Sequence, residues 1–280
     1  MTSTVFADPY VLATGAAAVR RLHALHNVYS PAGKRVLLQA GLGKGMKVVD
    51  FGCGVGVVTR MLAELVGPSG HVIGVDVAAA QLQEARKLCE QEGLNNVSFL
   101  EASASSTGLP RNSFDLVYCR FLLLHLPDPA ACLREMKDVL KPDGILVVED
   151  GDLASAGSFP PTASDMFADL FQQLGAIRGL DYRIGRRLFH LVMAAGFTDL
   201  NMEIHQPAIT KSGQDRLFLK WSVEEAGPAL VNAGLTTQED LGRTLSAMHD
   251  ATEDPSVVIL APRMSQIWAK KSGPATGKVG

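Results

Sequence analysis

The chain alternates short apolar runs with amphipathic segments, and this alternation constrains the fold more than any other feature of the sequence. The apolar runs are Lys47–Gly52, His71–Val75, Val97–Glu101, Phe114–Cys119 and Ile145–Glu149. Near-continuous apolar strands separated by amphipathic helices are typical of a parallel sheet that is covered on both faces. The sequence therefore predicts an α/β fold, with helices on both sides of such a sheet.

The segments that flank this alternation predict a helical cap on the same domain. One or two helices are expected in Thr14–Ala40, with a break near Ser30-Pro31, and Ser256–Trp268 is expected to form a final strand. Further helical patterns occupy Ala163–Leu174, Ile184–Ala195, Asp215–Ala233 and Gln238–Ala251. We expect a single domain made of an N-terminal helical part (1–45), a core (46–150) and cap helices with the last strands (151–280).

The composition limits the kinds of partner that the chain is expected to bind and the cellular compartment in which it is expected to work. The 26 basic residues nearly balance the 29 acidic ones, so the chain offers no general basic field for binding nucleic acid. The four cysteines show no C-x-x-C spacing, the first residues lack the apolar region of a signal peptide, and charges interrupt every long apolar stretch. We therefore expect a cytoplasmic protein that binds neither nucleic acid nor a membrane.

A glycine-rich turn follows the first strand and opens a helix. Its sequence is Asp50-Phe51-Gly52-Cys53-Gly54-Val55-Gly56. Glycines here let the backbone approach a ligand closely, and the helix N-terminus presents unpaired N–H groups. A plain tight turn is one alternative. A nicotinamide-dinucleotide site is another, although its fingerprint requires a third glycine where this chain has Val57.

An acidic residue, Asp76, ends the second strand. A carboxylate at this point can accept both hydroxyls of a ribose, and it can also cap the helix that starts near Ala78. Asp76 alone does not distinguish a nicotinamide cofactor from another adenosine cofactor. None of the four tyrosines has a lysine four residues later, so a short-chain reductase would lack its usual acid/base pair.

Four ordered motifs together resemble the class I S-adenosylmethionine-dependent methyltransferases, and most of all the small-molecule enzymes of ubiquinone and menaquinone biosynthesis. The motifs are Val48–Thr59, Val72–Leu82, Phe114–Pro129 and Leu140–Glu149. The resemblance implies a Rossmann-like sheet of seven strands with a final antiparallel strand, which Ser256–Trp268 could supply. It also implies S-adenosyl-L-methionine as the cofactor.

The resemblance assigns cofactor contacts residue by residue. The glycine turn would cradle the methionine part, Asp76 the ribose and Val77 the adenine, while backbone carbonyls at the end of the fourth strand would hold the ammonium group. Ser103 stands where the family usually has aspartate beside the adenine. The full set of implied cofactor residues is Asp50, Gly52, Cys53, Gly54, Gly56, Asp76, Val77, Gln81, Ser103, Ala104, Cys119 and Arg120.

Two residues are candidates for the chemistry of methyl transfer. His125 has the pKa class of a general base for an O–H or N–H acceptor, although histidine at this family position can also only orient the loop. Tyr10 could close over the sulfonium as an aromatic lid, or it could simply anchor the first helix. Metal-dependent methyltransferases of the catechol type place metal ligands at the positions of Asp150 and Asp152 and a partner acid after the fourth strand. Because this chain has Cys119-Arg120 at the latter place, no catalytic metal is predicted.

The acceptor is expected to be a small, hydrophobic or aromatic metabolite. A stripe with helical spacing (Met166, Phe167, Leu170, Phe171, Leu174) packs a core by default, and any part that faces the cleft would favour an apolar substrate. A nicotinamide-dependent reductase and a non-catalytic cofactor-binding protein remain open as alternatives. The N-terminal helices could also pair two chains into a homodimer.

Overall fold

The computed structural model describes Leu12 and residues 18–272, which build a large sheet with helices on both faces. The strands of this sheet are β1 Lys47–Phe51, β2 His71–Asp76, β3 Val97–Glu101, β4 Phe114–Arg120, β5 Leu140–Asp152, β7 Phe197–His205 and β10 Arg263–Lys271. The helices are α1 Val19–Ala40, α2 Val57–Val66, α3 Ala79–Gln91, α4 Pro129–Val139, α5 Met166–Arg178, α6 Leu188–Ala194, α7 Phe218–Asn232 and α8 Gln238–Glu253. A second, small sheet that the sequence did not predict contains β6 Gly157–Phe159, β8 Ala208–Ile209 and β9 Val258–Leu260.

The seven strands of the large sheet follow the order β3-β2-β1-β4-β5-β10-β7. Strands β1 to β5 pair in parallel, and β10 runs antiparallel to both β5 and β7. Strand order reverses between β1 and β4, and ligands of open α/β sheets bind outside the carboxyl ends of the strands at such a point. The topology therefore places a binding site beside Phe51 and Arg120.

Burial explains why these segments form strands. The central residues Val48, Val49, Leu116 and Val117 are inaccessible to solvent, and apolar clusters cover both faces of the sheet. A strand buried on both faces carries a continuous apolar run, which is the pattern of β1 and β4 in the sequence. The predicted parallel core with helices on both sides is confirmed.

Two boundaries predicted from the sequence are wrong. Helix α1 continues through Pro31 without a break, because buried residues on both sides of the proline, such as Tyr29 and Val36, pack the helix onto the sheet. The segment Ser256–Trp268 is not one strand but two, since β9 ends at Leu260 in the small sheet and β10 begins at Arg263 in the large one. Only β10 supplies the final antiparallel strand.

Three helices gather above the carboxyl ends of the central strands. Helix α7 packs against both α1 and α5. Side chains from all three helices face the glycine turn across a cavity that also reaches the ends of β2 and β4. The chain segments before β1 and after β5 thus enclose the point at which strand order reverses.

Candidate active site

The glycine turn adopts a conformation that needs glycine at its first position. Gly52, Gly54 and Gly56 all have positive φ angles, of 68°, 54° and 75°. The N–H groups of Gly52 and Cys53 both donate to the carbonyl of Val75, at 2.7 and 3.0 Å, which ties the turn to β2. A Cβ at Gly52 would lie 2.7 Å from Cδ1 of Leu122, so a larger residue does not fit.

Asp76 braces this turn from the neighbouring strand. Its Oδ2 accepts the N–H of Gly54 and its Oδ1 accepts the N–H of Ala78, each at 2.9 Å. Burial raises the pKa of the carboxyl group above its ordinary value, although the backbone hydrogen bonds oppose that shift. Ala78 itself stands at the N-cap of α3, so Asp76 supports the start of that helix from two residues before the cap position.

A cavity of about 770 Å³ joins the glycine turn to the helices above it. Nine of the predicted cofactor residues line it, together with the candidate base: Gly52, Cys53, Gly54, Asp76, Val77, Gln81, Ser103, Ala104, Arg120 and His125. Another part of the lining is apolar and half aromatic, and it includes Leu25, Phe121, Leu153, Phe167, Phe171, Phe218 and Pro262. One cavity therefore combines polar residues of cofactor type with an apolar, partly aromatic lining.

Three predicted cofactor residues lie behind the cavity wall. Asp50 is buried beneath the turn and accepts the hydroxyl of Thr59 at 2.6 Å, and burial raises its pKa to about 7. Cys119 is buried within β4. A Cβ at Gly56 would lie 3.1 Å from Cβ of Ala85, so the glycine leaves room for that side chain. These residues shape the turn and the core beneath it. Tyr10 lies outside the described residues.

Arg120 brings a buried positive charge to the polar end of the cavity. Arg120 is only 9% exposed, and its Nη2 lies 3.4 Å from Nδ1 of His26. Among the residues that the structure describes, its Nη1 has no hydrogen-bond partner. The charges of Asp50 and Glu149 lie close enough for Arg120 to lower the pKa of both carboxyl groups, against the larger effect of burial.

His125 is held in the cavity wall by a buried carboxylate. Asp150 accepts the N–H groups of Leu123 and Leu124, at 2.8 and 3.3 Å, and so supports the short 3-10 turn that ends at His125. The imidazole packs edge-on against Tyr182, with 5.7 Å between ring centroids. Burial, and then the charge of Arg21, lower the pKa of His125 to about 3, so the ring is neutral at physiological pH.

An unusual backbone conformation fixes one aromatic side of the cavity. Phe121 follows β4 with a φ of 52°, and its N–H donates to the carbonyl of Glu149 at 2.9 Å. Its ring packs edge-on against Tyr29, 5.2 Å away, and a Cβ at Gly151 would lie 2.6 Å from the same ring. Strained backbone of this kind persists only where the surroundings enforce it, and it is frequent at functional sites.

The sequence did not single out an ion pair at the cap side of the cavity. Nε of Arg21, on α1, donates to Oε2 of Glu225, on α7, at 2.7 Å. Their side chains are only 4% and 7% exposed, and Arg21 also lines the cavity. Two adjacent arginines begin α1, and nothing in their local sequence indicates that Arg21 points inward while Arg20 stays exposed.

The acids at the end of β5 are already engaged within the protein. Asp150 accepts backbone N–H groups, and Oδ2 of Asp152 accepts Nε of Arg186 at 2.6 Å and Nη2 of Arg263 at 2.9 Å. Within residue 12 and the range 18–272, no three His, Cys, Asp or Glu side chains are grouped so as to hold a metal ion. The absence of a catalytic metal stays a prediction. None of the described helices combines the length and apolar character that a bilayer crossing requires.

Comparison with known proteins identifies the family of the chain. Residues 42–184, slightly more than half of the chain, match a family described as a methyltransferase domain. The chain therefore belongs to this methyltransferase family. A solved S-adenosylmethionine-dependent methyltransferase from Aquifex aeolicus shares the fold, with a TM-score of 0.52 and 23% identity over 67% of this chain and 89% of that one.

Two curated relatives are similar to part of the chain. A stretch of 132 residues, 47% of the chain, is 35% identical to aklanonic acid methyltransferase DauC of Streptomyces sp. strain C5 and covers 60% of that protein. A stretch of 107 residues, 38% of the chain, is 40% identical to demethylmenaquinone methyltransferase of Listeria welshimeri and covers 45% of it. Each match thus spans less than two thirds of the relative. The predicted family and seven-stranded fold are confirmed, and the matches do not support a nicotinamide-dependent reductase.

Proposed function

We propose that this chain transfers a methyl group from S-adenosyl-L-methionine to a small, hydrophobic or aromatic metabolite. The observation that carries the proposal is the single cavity that unites the glycine turn and Asp76 with an aromatic wall. One end of this space suits an amino-acid tail and a ribose, and the other end suits an apolar acceptor. A non-catalytic binding protein would not require the two ends to be continuous.

The residues at the polar end suit the cofactor part by part. The carboxylate oxygens of Asp76 can accept the ribose hydroxyls in addition to their two backbone N–H groups, because an ionised carboxylate offers about four acceptor sites. The side chain of Val77 is 68% exposed at the end of β2, which provides an apolar surface for the adenine. Gln81, Ser103 and Ala104 would complete the adenosine side of the site.

The methionine end of the cofactor would lie between the glycine turn and the end of β4. Backbone carbonyls at Cys119 and Arg120 would hold the ammonium group, as the family resemblance implies. We assign the methionine carboxylate to the guanidinium of Arg120, whose Nη1 has no partner within the described part of the chain. Asp50 would act beneath this contact by holding the turn through Thr59.

The main contributions of the chain to methyl transfer would be to position the acceptor against the cofactor and to exclude water. When bound, S-adenosyl-L-methionine supplies an electrophilic methyl group on a positively charged sulfur. Phe121, Phe167 and Phe171 would hold the acceptor in line with that group, at a distance of about 3–3.5 Å at which bound reactants react efficiently. Helices α1, α5 and α7 would keep bulk water out of the cavity.

His125 lines the cavity and would contact the acceptor there, where its neutral imidazole could accept a proton or a hydrogen bond. A conjugate acid with a pKa of about 3 makes the ring a weak base, so its main role would be to orient an acceptor O–H or N–H group. Tyr10 stays a sequence prediction of a lid that closes over the sulfonium.

The relatives and the composition support more specific proposals about the acceptor and about the cellular compartment. The names of the relatives refer to aklanonic acid and to demethylmenaquinone, and an acceptor with an aromatic or quinone ring would suit the aromatic wall here. The four cysteines are free thiols, which favours a reducing, cytoplasmic setting. A homodimer and the absence of nucleic-acid or membrane partners remain predictions from the sequence.

Calorimetric titration and a labelled-methyl assay test the function together. We expect S-adenosylhomocysteine to bind the purified chain while NADH gives no heat, and labelled methyl to appear in at least one member of a panel of phenols, naphthoquinones and aromatic acids. NADH binding without S-adenosylhomocysteine binding would overturn the proposed function. Cofactor binding without transfer to any member of a broad panel would favour a non-catalytic protein.

A further inference from the structure

The guanidinium of Arg120 is held by a neutral side chain from the N-terminal helix. Its Nη2 lies 3.4 Å from Nδ1 of His26, on α1. An arginine side chain only donates hydrogen bonds, so Nδ1 of His26 accepts and the imidazole carries its proton on Nε2. Burial, and then the charge of Arg120, lower the pKa of His26 to about 4. The ring is therefore neutral near pH 7 and keeps the lone pair that this bond requires.

Arg120 lies next to the glycine turn. Strands β1 and β4 pair in parallel, with Phe51 opposite Cys119. Gly52 and Arg120 are the next residues on the two strands, so the arginine follows β4 where the first glycine follows β1. Arg120 also lines the cavity, and its charge acts on the pKa of Asp50 beneath the turn. Its place in the site is thus the end at which the homocysteine tail of the cofactor is expected.

The positive charge of Arg120 is not neutralised by an ion pair. Glu149 pairs with it in register on β5, but within the described part of the chain no carboxylate oxygen lies within 4.0 Å of the arginine nitrogens. Burying a charge without a counter-ion is costly, which favours a bound anion at such a place. A neutral acceptor such as His26 orients the guanidinium and leaves its charge available, whereas an acid in the same position would cancel it.

We propose that His26 is a positioning residue that orients the guanidinium of Arg120 toward the carboxylate of the cofactor. This inference rests on the proposed function and adds a residue to its cofactor site. His26 acts through Arg120 and does not itself touch the ligand. An arginine that is already ordered loses less conformational entropy when it binds a carboxylate, so the bond from α1 strengthens the contact.

A matched pair of ligands tests this role. S-adenosylhomocysteine and its decarboxylated form differ only in the carboxylate, and calorimetry gives the Kd of each. We expect the wild-type protein to prefer the carboxylate form by about tenfold or more. His26→Leu should lower that preference by about three- to tenfold, because it removes one hydrogen bond, and change the Kd of the decarboxylated ligand by less than about threefold. The same preference in His26→Leu and in the wild-type protein would overturn the inference.

Control variants separate positioning from packing. His26→Asn keeps an acceptor oxygen close to the position of Nδ1, so it should restore most of the preference, and a variant that behaves like His26→Leu would contradict the inference. His23→Leu is the matched control, since His23 lies one turn earlier on α1 and lines a separate surface groove. It should keep the full preference. If His26→Leu fails to fold in thermal unfolding, His26→Phe replaces it, because a phenyl ring fills the same space without an acceptor.

The failure of this inference and the failure of the proposed function give different results. If Arg120→Met loses the carboxylate preference but His26→Leu and His26→Phe keep it, the inference is wrong while the proposed function stands. If the wild-type protein binds both ligands equally, the carboxylate is not bound by Arg120, and the inference is wrong although cofactor binding is retained. If the wild-type protein does not bind S-adenosylhomocysteine, the proposed function itself fails.

Discussion

The carboxylate of Asp76 holds the glycine turn by accepting the N–H of Gly54 at 2.9 Å, so the acid that would grip the ribose also shapes the loop that would hold the methionine. The two ends of the cofactor site are thus linked through one side chain. A change at Asp76 should disturb both. Asp76 shapes the turn before any ligand binds. This structural role explains why its carboxyl group is partly buried although burial raises its pKa.

Asp76→Ala should weaken the binding of S-adenosylhomocysteine by about 1.5–3 kcal/mol, because it removes charge-assisted hydrogen bonds to the ribose. Glu101→Gln provides a matched control, since Glu101 is exposed at the end of β3 and pairs in register with Asp76. Calorimetric titration of both variants measures the effect. Equal affinity of the wild-type protein and Asp76→Ala would contradict the ribose assignment.

Gly52→Ala should destabilise the protein and weaken cofactor binding, because the new Cβ would lie 2.7 Å from Leu122. Gly93→Ala is the matched control, since Gly93 has the same φ of 68° and nothing lies within 4 Å of its would-be Cβ. The control should lose about 1–2 kcal/mol from left-handed strain alone and keep its affinity. Chemical denaturation and titration report both quantities, and equal losses in the two variants would show that the Leu122 contact is unimportant.

Asp50→Asn should change how stability depends on pH. The pKa of Asp50 is raised from 3.8 to about 7 in the folded protein, so the unfolded chain ionises first and the free energy of unfolding falls as pH rises from about 4 to about 7. Relative to Asp50→Asn, the wild-type protein should lose about 2–3 kcal/mol of stability between about pH 5 and about pH 8. Urea denaturation across this range measures the difference. A difference that stays constant with pH would mean that Asp50 titrates normally.

His125→Ala should slow methylation of an oxygen or nitrogen by about 10²-fold, the low end of the range for general bases, because a base with a pKa of about 3 accepts a proton weakly. With this pKa, the imidazole of His125 is neutral over the whole pH range of the assay. The ratio of wild-type to variant kcat should therefore be constant between about pH 5 and about pH 8. A ratio that drops as pH falls below about 6.5 would show that His125 titrates at its ordinary value.

Local patterns in the sequence were sufficient to predict the core and its polar end. Asp76 ends a strand, and the glycine turn and His125 each follow one. The apolar run of each strand indicates where it ends, and the parallel topology brings those ends to one edge of the sheet. The positive φ angles of Gly52 and Gly54 are a property of the turn itself, so its glycines already indicated its shape.

The cap could not be predicted in the same way, because its contacts join distant parts of the chain. Arg21 and Glu225 are 204 residues apart, and no local pattern connects them. The small sheet combines β6, β8 and β9 from three separate segments of two or three residues each, too short to give a periodic signal. The position of the Arg120 side chain in the cavity wall was also not predicted, because the resemblance assigned only the backbone at that residue.

A crystal structure of the chain with S-adenosylhomocysteine tests the central claim most directly. We expect the ribose hydroxyls to contact Asp76 and the homocysteine tail to lie along the glycine turn with its carboxylate at Arg120. We expect the sulfur to face the aromatic wall. Density for the ligand elsewhere, or a sulfur that faces away from Phe121 and Phe167, would contradict the assignment of this cavity.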